Sequence, residues 1–152
     1  MTAAKKLLFT VIYHGKVTFD KGVHWRRNFT IMLSPNAKLT IGRFCFFNND
    51  CSINANNRIQ IGEGTLFGEN VKIYDHNHRF KDKMVPIKEQ GYSNGEVIIG
   101  KHTWIGSNVV LLKGTNIGDN CVIGAGCVIN SAIPDGTIIR TENNLIIERI
   151  KE

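Results

Sequence analysis

Every sixth residue from Ile99 onward is aliphatic: Ile99, Ile105, Leu111, Ile117, Ile123 and Ile129, with Gly following four of the six. A six-residue period fits neither the 3.6-residue turn of an α-helix nor the plain alternation of a strand, and it fixes an architecture before any local propensity is consulted. A second column lies two residues earlier, at Val97, Thr103, Val109, Thr115, Cys121 and Cys127. Residues two apart on an extended chain share a face, so both columns point inward and the residue between them points out. Each unit is then one short strand and one turn.

Such a unit cannot bury its own apolar side, so the units must stack into a solenoid. Three units per coil make a triangular prism with three parallel sheets. In it Ile99 stacks on Ile117, Ile105 on Ile123 and Leu111 on Ile129. The beat continues upstream through Val17, Val23 and Phe29, through Ile41, Phe47 and Ile53, and through Ile61, Phe67 and Ile73. Pro35 falls on it between Phe29 and Ile41, and two extra residues shift its phase between Ile53 and Ile61. The small column there holds Leu39, Cys45, Cys51, Thr65 and Val71. The expectation is one all-β domain over residues 1–152, with an apolar opening strand at LLFTVIY and a short C-terminal segment at 140–152.

All four cysteines fall on the small inward column, which reads as small buried hydrophobes rather than disulfides, a zinc site or a nucleophile. Nineteen Lys and Arg against 13 Asp and Glu leave a net charge of +6, suited to an anionic partner. No run of like charge exceeds a pair, so a nucleic-acid-binding arm is not expected. The apolar run near the N-terminus is too short to span a bilayer and lacks a cleavage pattern, so the expected location is cytoplasmic.

The repeat stops between Ile73 and Ile99, for a 75–96 excursion that opens Asp75, His76, Asn77, His78 and goes on to Arg79, Lys81, Lys83 and Lys88. A solenoid accepts an insertion only as an excursion from a corner, and long ordered excursions commonly carry function. Histidine is the side chain best matched to proton transfer at neutral pH. Both His76 and His78 are candidates on those grounds.

The Ile-Gly repeat, Trp104-Ile105-Gly106 and the IYDHNHRF segment at 73–80 together resemble the hexapeptide-repeat acyltransferases, over roughly residues 38–137. Within them the resemblance is to the galactoside, maltose and capsular-polysaccharide O-acetyltransferases. It implies a left-handed parallel β-helix, a hand that periodicity does not give and that runs against the usual right-handed crossover. It also implies acetyl-CoA as cosubstrate without a metal, a homotrimer with each site between two prisms, and a sugar hydroxyl on a glycan or its precursor as acceptor.

By that resemblance His78 matches the catalytic general base, with His76 as competitor for the role or as an acceptor contact. Asn48 matches an acceptor-binding Asn, and Asn56 stands where the family often has an acceptor-binding Asp. Trp104 and Ser107 match positions beside the pantetheine arm, the Ser107 backbone N–H serving the oxyanion. The chain departs from the family at Asn130-Ser131 and at Thr141 to Asn144, leaving Lys113 and Arg140 as candidate cofactor contacts. An amino-sugar or antibiotic acetyltransferase stays open. So does a γ-type carbonic anhydrase drawing zinc ligands from His76, His78 and His102, although its His-x-x-x-x-His spacing is missing, and so does a non-catalytic surface-binding β-helix.

Overall fold

The computed structural model describes residues 2–142. A helix, α1 (Thr2–Ile12), precedes a parallel β-solenoid. Its first coil holds β1 (Val17–Phe19), β2 (His24–Trp25) and β3 (Thr30–Leu33), and the second β4 (Lys38–Ile41), β5 (Phe46–Phe47) and β6 (Ser52–Ala55). The third holds β7 (Arg58–Ile61), β8 (Leu66–Phe67) and β9 (Lys72–Tyr74), then leaves the prism as a hairpin of β10 (His76–His78) and β11 (Tyr92–Asn94). The fourth holds β12 (Glu96–Ile99), β13 (Trp104–Ile105) and β14 (Val110–Leu111), and the fifth β15 (Asn116–Ile117), β16 (Val122–Ile123) and β17 (Val128–Ile129). A sixth begins with β18 (Ala132–Ile133) and β19 (Ile138–Ile139).

The strands form three parallel faces, ordered β1-β4-β7-β12-β15-β18, β2-β5-β8-β13-β16-β19 and β3-β6-β9-β14-β17. Ile99 registers on Ile117, Ile105 on Ile123 and Leu111 on Ile129, as the period requires. The inward columns make one continuous buried core, in which each aliphatic side chain contributes roughly 1.5–3 kcal/mol before ordering costs.

The small column does more than fill space. Thr65 Oγ1 donates to the Gly100 carbonyl at 2.9 Å, Thr103 Oγ1 to Gly118 at 3.1 Å, and Thr115 Oγ1 to Ile129 at 2.8 Å. The thiols behave alike, Cys45 donating to Gly62 O at 3.0 Å and Cys121 to Pro134 O at 3.1 Å. A small side chain with a donor therefore satisfies a carbonyl further along the solenoid. All four cysteines are free and buried, and burial pushes the Cys45 thiol up to about 11. Coil spacing also explains the Gly after Ile: a Cβ at Gly100 would lie 2.4 Å from the Gly118 carbonyl carbon, with no side chain able to yield.

Two expectations fail. The LLFTVIY run is no strand: Leu7 to Ile12 form the second half of α1 and Tyr13 follows it. Phe9 and Tyr13, four apart, pack on the open end of the core beside Trp25 and Phe29, and the Tyr13 hydroxyl donates to Ile31 O at 2.6 Å. The phase of the first coil is also off by two residues. Val17 registers on Leu39 and Phe19 on Ile41, Trp25 on Phe47 and Ile31 on Ile53, so Val17, Val23 and Phe29 belong to the small column. Bulky residues on both columns give the same sixfold beat, which hides the offset.

Candidate active site

The residues singled out in the sequence fall on two different edges of the prism. At the edge between the third and first faces the chain turns after β3, β6, β9 and β14, and Asn56, His76, His78 and Lys113 lie there. At the edge between the second and third faces it turns after β5, β8, β13 and β16. Asn48, Trp104, Ser107 and Arg140 lie on or beside it.

The first edge is built around Asp75, which is fully buried. Its two carboxylate oxygens accept the backbone N–H of Asn56 at 2.7 Å and of Asn57 at 2.8 Å, and Oδ1 also lies 2.9 Å from His76 Nδ1. The Asp75 carbonyl takes the Gly95 N–H at 2.7 Å, closing the neck of the hairpin. One carboxylate thus ties the turn carrying Asn56 to the strand carrying both histidines. His76 packs edge-on against Tyr92, and the exposed His78 ring lies 4.6 Å from the same ring. Asp75 and Tyr92 are functional candidates the sequence reading missed; the acid directly before His76 was the available signal for one, and nothing marked the other.

Two clefts open here. One, of about 330 Å³, is lined by Ser34, Asn54, Asn56, Tyr74, His76 and Tyr92 among others. The Asn56 amide oxygen accepts from the Ser34 hydroxyl. The other, of about 730 Å³, runs past His78, Arg79, Lys81, Gln90, Ser93 and Lys113. Lys113 Nζ donates to Ser93 Oγ at 2.7 Å, pinning the hairpin to the fourth coil.

The second edge has a corner whose backbone donor is open. On this edge the Arg27 N–H is taken by Asn49 Oδ1 and the Glu69 N–H by Ser107 Oγ, each one coil on, and on the edge between the first and second faces Asp119 takes the Lys101 N–H and Asp135 the Asp119 N–H in the same way. One coil on from Ser107 stands Ala125, whose side chain has no acceptor. The Ser107 N–H is left open beside Trp104, which is 56 % exposed. Exposed Arg140 follows on the same edge, its Cα 3.3 Å from where a Gly124 Cβ would stand. Asn48 lies two coils before Ser107, its amide oxygen held by the Asn49 N–H at 2.9 Å. Asn143 and Asn144 lie outside the described residues, as does most of 140–152.

Among the described residues no three His, Cys, Asp or Glu side chains gather as metal ligands, and His102 sits apart on the remaining edge, between the first and second faces, over Gly64. No described helix is long and apolar enough to cross a membrane.

Residues 96–131 match the family model of the bacterial transferase hexapeptide (six repeats). A probable acetyltransferase of Mycobacterium tuberculosis is 42 % identical over 101 residues, 66 % of this chain but only 32 % of that protein, so the chain spans about a third of that relative. A putative lipopolysaccharide biosynthesis O-acetyl transferase of Escherichia coli is 30 % identical over 133 residues, covering 79 % of this chain and 68 % of that one. Among solved structures, a maltose O-acetyltransferase of Clostridium difficile superposes with a TM-score of 0.64 at 29 % identity, over 93 % of this chain and 74 % of the other. A galactoside acetyltransferase solved with coenzyme A reaches 0.57 at 29 % identity, over 72 % and 60 %. The solenoid is a left-handed parallel β-helix, and the chain belongs to the hexapeptide-repeat acetyltransferase family.

Proposed function

We propose that the protein transfers an acetyl group from acetyl-CoA to a sugar hydroxyl of a glycan or glycan precursor, by direct attack without an acyl-enzyme. The observation that carries this reading is the open Ser107 N–H. It is a fixed backbone donor, left unpaired because Ala125 stands one coil on, beside an exposed indole that can lie along a pantetheine arm. Such donors stabilise the oxygen of a tetrahedral intermediate by about 2.7–4 kcal/mol each. The second edge fits the cosubstrate: Trp104 and Ser107 would hold its thioester end and Arg140, further along, its anionic end. Acetyl-CoA supplies the activated acyl group as a thioester.

On the first edge, a ring nitrogen of His78 takes the proton of the acceptor hydroxyl as its oxygen attacks, and the thiolate leaves. His78 is exposed at the mouth of a cleft and its ring is backed by Tyr92, which supports a base that substrate can reach. His76, held at Nδ1 by Asp75, lines the smaller cleft with Asn56, an arrangement suited to receiving hydroxyls of the acceptor. Lys113 holds the hairpin in place through Ser93. The relatives' names, a putative lipopolysaccharide biosynthesis O-acetyl transferase and a maltose O-acetyltransferase, support a carbohydrate acceptor.

The two half-sites lie on different edges, so one chain does not bring His78 and Ser107 together. We infer a ring in which the first edge of one copy meets the second edge of the next. A head-to-tail contact of this kind makes a ring when its rotation closes, and three prisms is the number the family resemblance implies. The test is release of free thiol from acetyl-CoA in the presence of a panel of glycosides. Turnover should fall by about 10²–10⁴ in His78→Ala, a general-base loss, with the assembly intact. Unchanged turnover in that variant would remove His78 from the reaction.

A further inference from the structure

Solenoids need end caps whose outer face is polar. Here the cap is α1, and its outer face is not. Leu7, Leu8, Val11 and Ile12 are all more than half exposed. At the 100° step of a helix they fill one arc of about 140°. The helix cannot roll to hide them. Phe9 packs among Phe19, Trp25 and Phe29, and Tyr13 is tied to Ile31, so the opposite face is fixed to the core.

The charge of the chain is concentrated at the same end. Residues 1–30 contain Lys5, Lys6, Lys16, Lys21, Arg26 and Arg27 against Asp20 alone, five of the net +6. Lys21 is exposed at one corner of the coil that α1 covers, and Arg26 and Arg27 at the next. Among the described residues none of Lys16, Lys21, Arg26 and Arg27 has a carboxylate partner at ion-pair distance. An apolar helical arc bordered by unpaired cations is the pattern of a helix lying in a bilayer interface, where apolar side chains enter the acyl boundary and Lys and Arg meet anionic headgroups.

We propose that this end of the solenoid docks on an anionic lipid surface, with α1 as the inserted element and Lys21, Arg26 and Arg27 on the headgroups. The site proposed above lies along the prism edges, so docking through the end leaves it open. This inference does not depend on the acyl-transfer reading.

Co-sedimentation with phosphatidylcholine vesicles, with and without phosphatidylglycerol, tests it on the full chain. The protein should pellet with the anionic vesicles, and high salt should release it. Leu7→Gln/Val11→Gln should weaken partition by about tenfold or more. Lys21→Gln/Arg27→Gln should weaken it about fivefold per charge removed. Both pairs are exposed, so an unchanged thermal midpoint shows that folding is not the cause. Failure to pellet with anionic vesicles overturns the proposal, as does pelleting that neither double variant reduces. Self-association abolished by Leu7→Gln/Val11→Gln, without vesicle binding, would assign the face to a second copy instead.

Discussion

Asp75 and Ala125 show how single side chains divide the labour at the proposed site. Asp75 is a buried carboxylate whose partners are two backbone N–H groups and one imidazole. Its removal strands those donors, and Asp75→Ala should lower unfolding free energy by about 3 kcal/mol in a denaturant titration. Ala125 acts by lacking an acceptor. Ala125→Asp would put a carboxylate where Asp119 takes the Lys101 N–H, closing the Ser107 donor, and should lower kcat by about 10²–10³ with the acceptor KM little changed. Ala125→Gly, which leaves the donor open, should keep kcat near its original value. Ala125 was illegible in the sequence because an alanine in Ile-Gly-Ala-Gly reads as a turn filler until the corners are laid one on another. His78 and Ser107 were legible only through the resemblance, since the residues alone left His76 equally eligible.

At the scale of elements, the strands were the easiest part to read. A period of six leaves no other packing for columns running from Ile41 to Ile129, and the registers follow from it. The helix was hidden because LLFTVIY is apolar at every position but one, so no alternation separates strand from helix. Only the pairing of Phe9 with Tyr13, seen once the open end of the prism needs a lid, reveals the helical spacing. The hairpin was visible as an interruption, and its independence from the core carries a prediction. The Gly95 N–H on the Asp75 carbonyl closes its neck, and β12 pairs with β7 whatever lies beyond. Replacing residues 81–89 with a Gly-Ser linker should leave the circular dichroism spectrum and cooperative melt nearly unchanged. The same change should abolish turnover by loosening β10 and β11 around His78. A large drop in thermal midpoint would show that the excursion is part of the core after all.

For the molecule as a whole, the period predicted the prism but was silent about which edge each site residue would occupy. Asn48 and Asn56 are eight residues apart and look like one acceptor-binding pair, yet they turn two successive corners and lie on different edges. The same geometry separates His78 from Ser107, so under the proposed mechanism two copies complete one site. Mixing two inactive variants tests this most directly. His78→Ala lacks the base on the first edge and Ala125→Asp blocks the donor on the second. Unfolded together in equal amounts and refolded, they form intact sites wherever an Ala125→Asp chain presents its His78 to the open Ser107 corner of a His78→Ala chain. About a quarter of the contacts in a random head-to-tail ring meet that condition. Thiol release from acetyl-CoA should then recover to about a quarter of the original rate, while each variant refolded alone stays inactive. A mixture as inactive as its components would contradict a site shared between two chains.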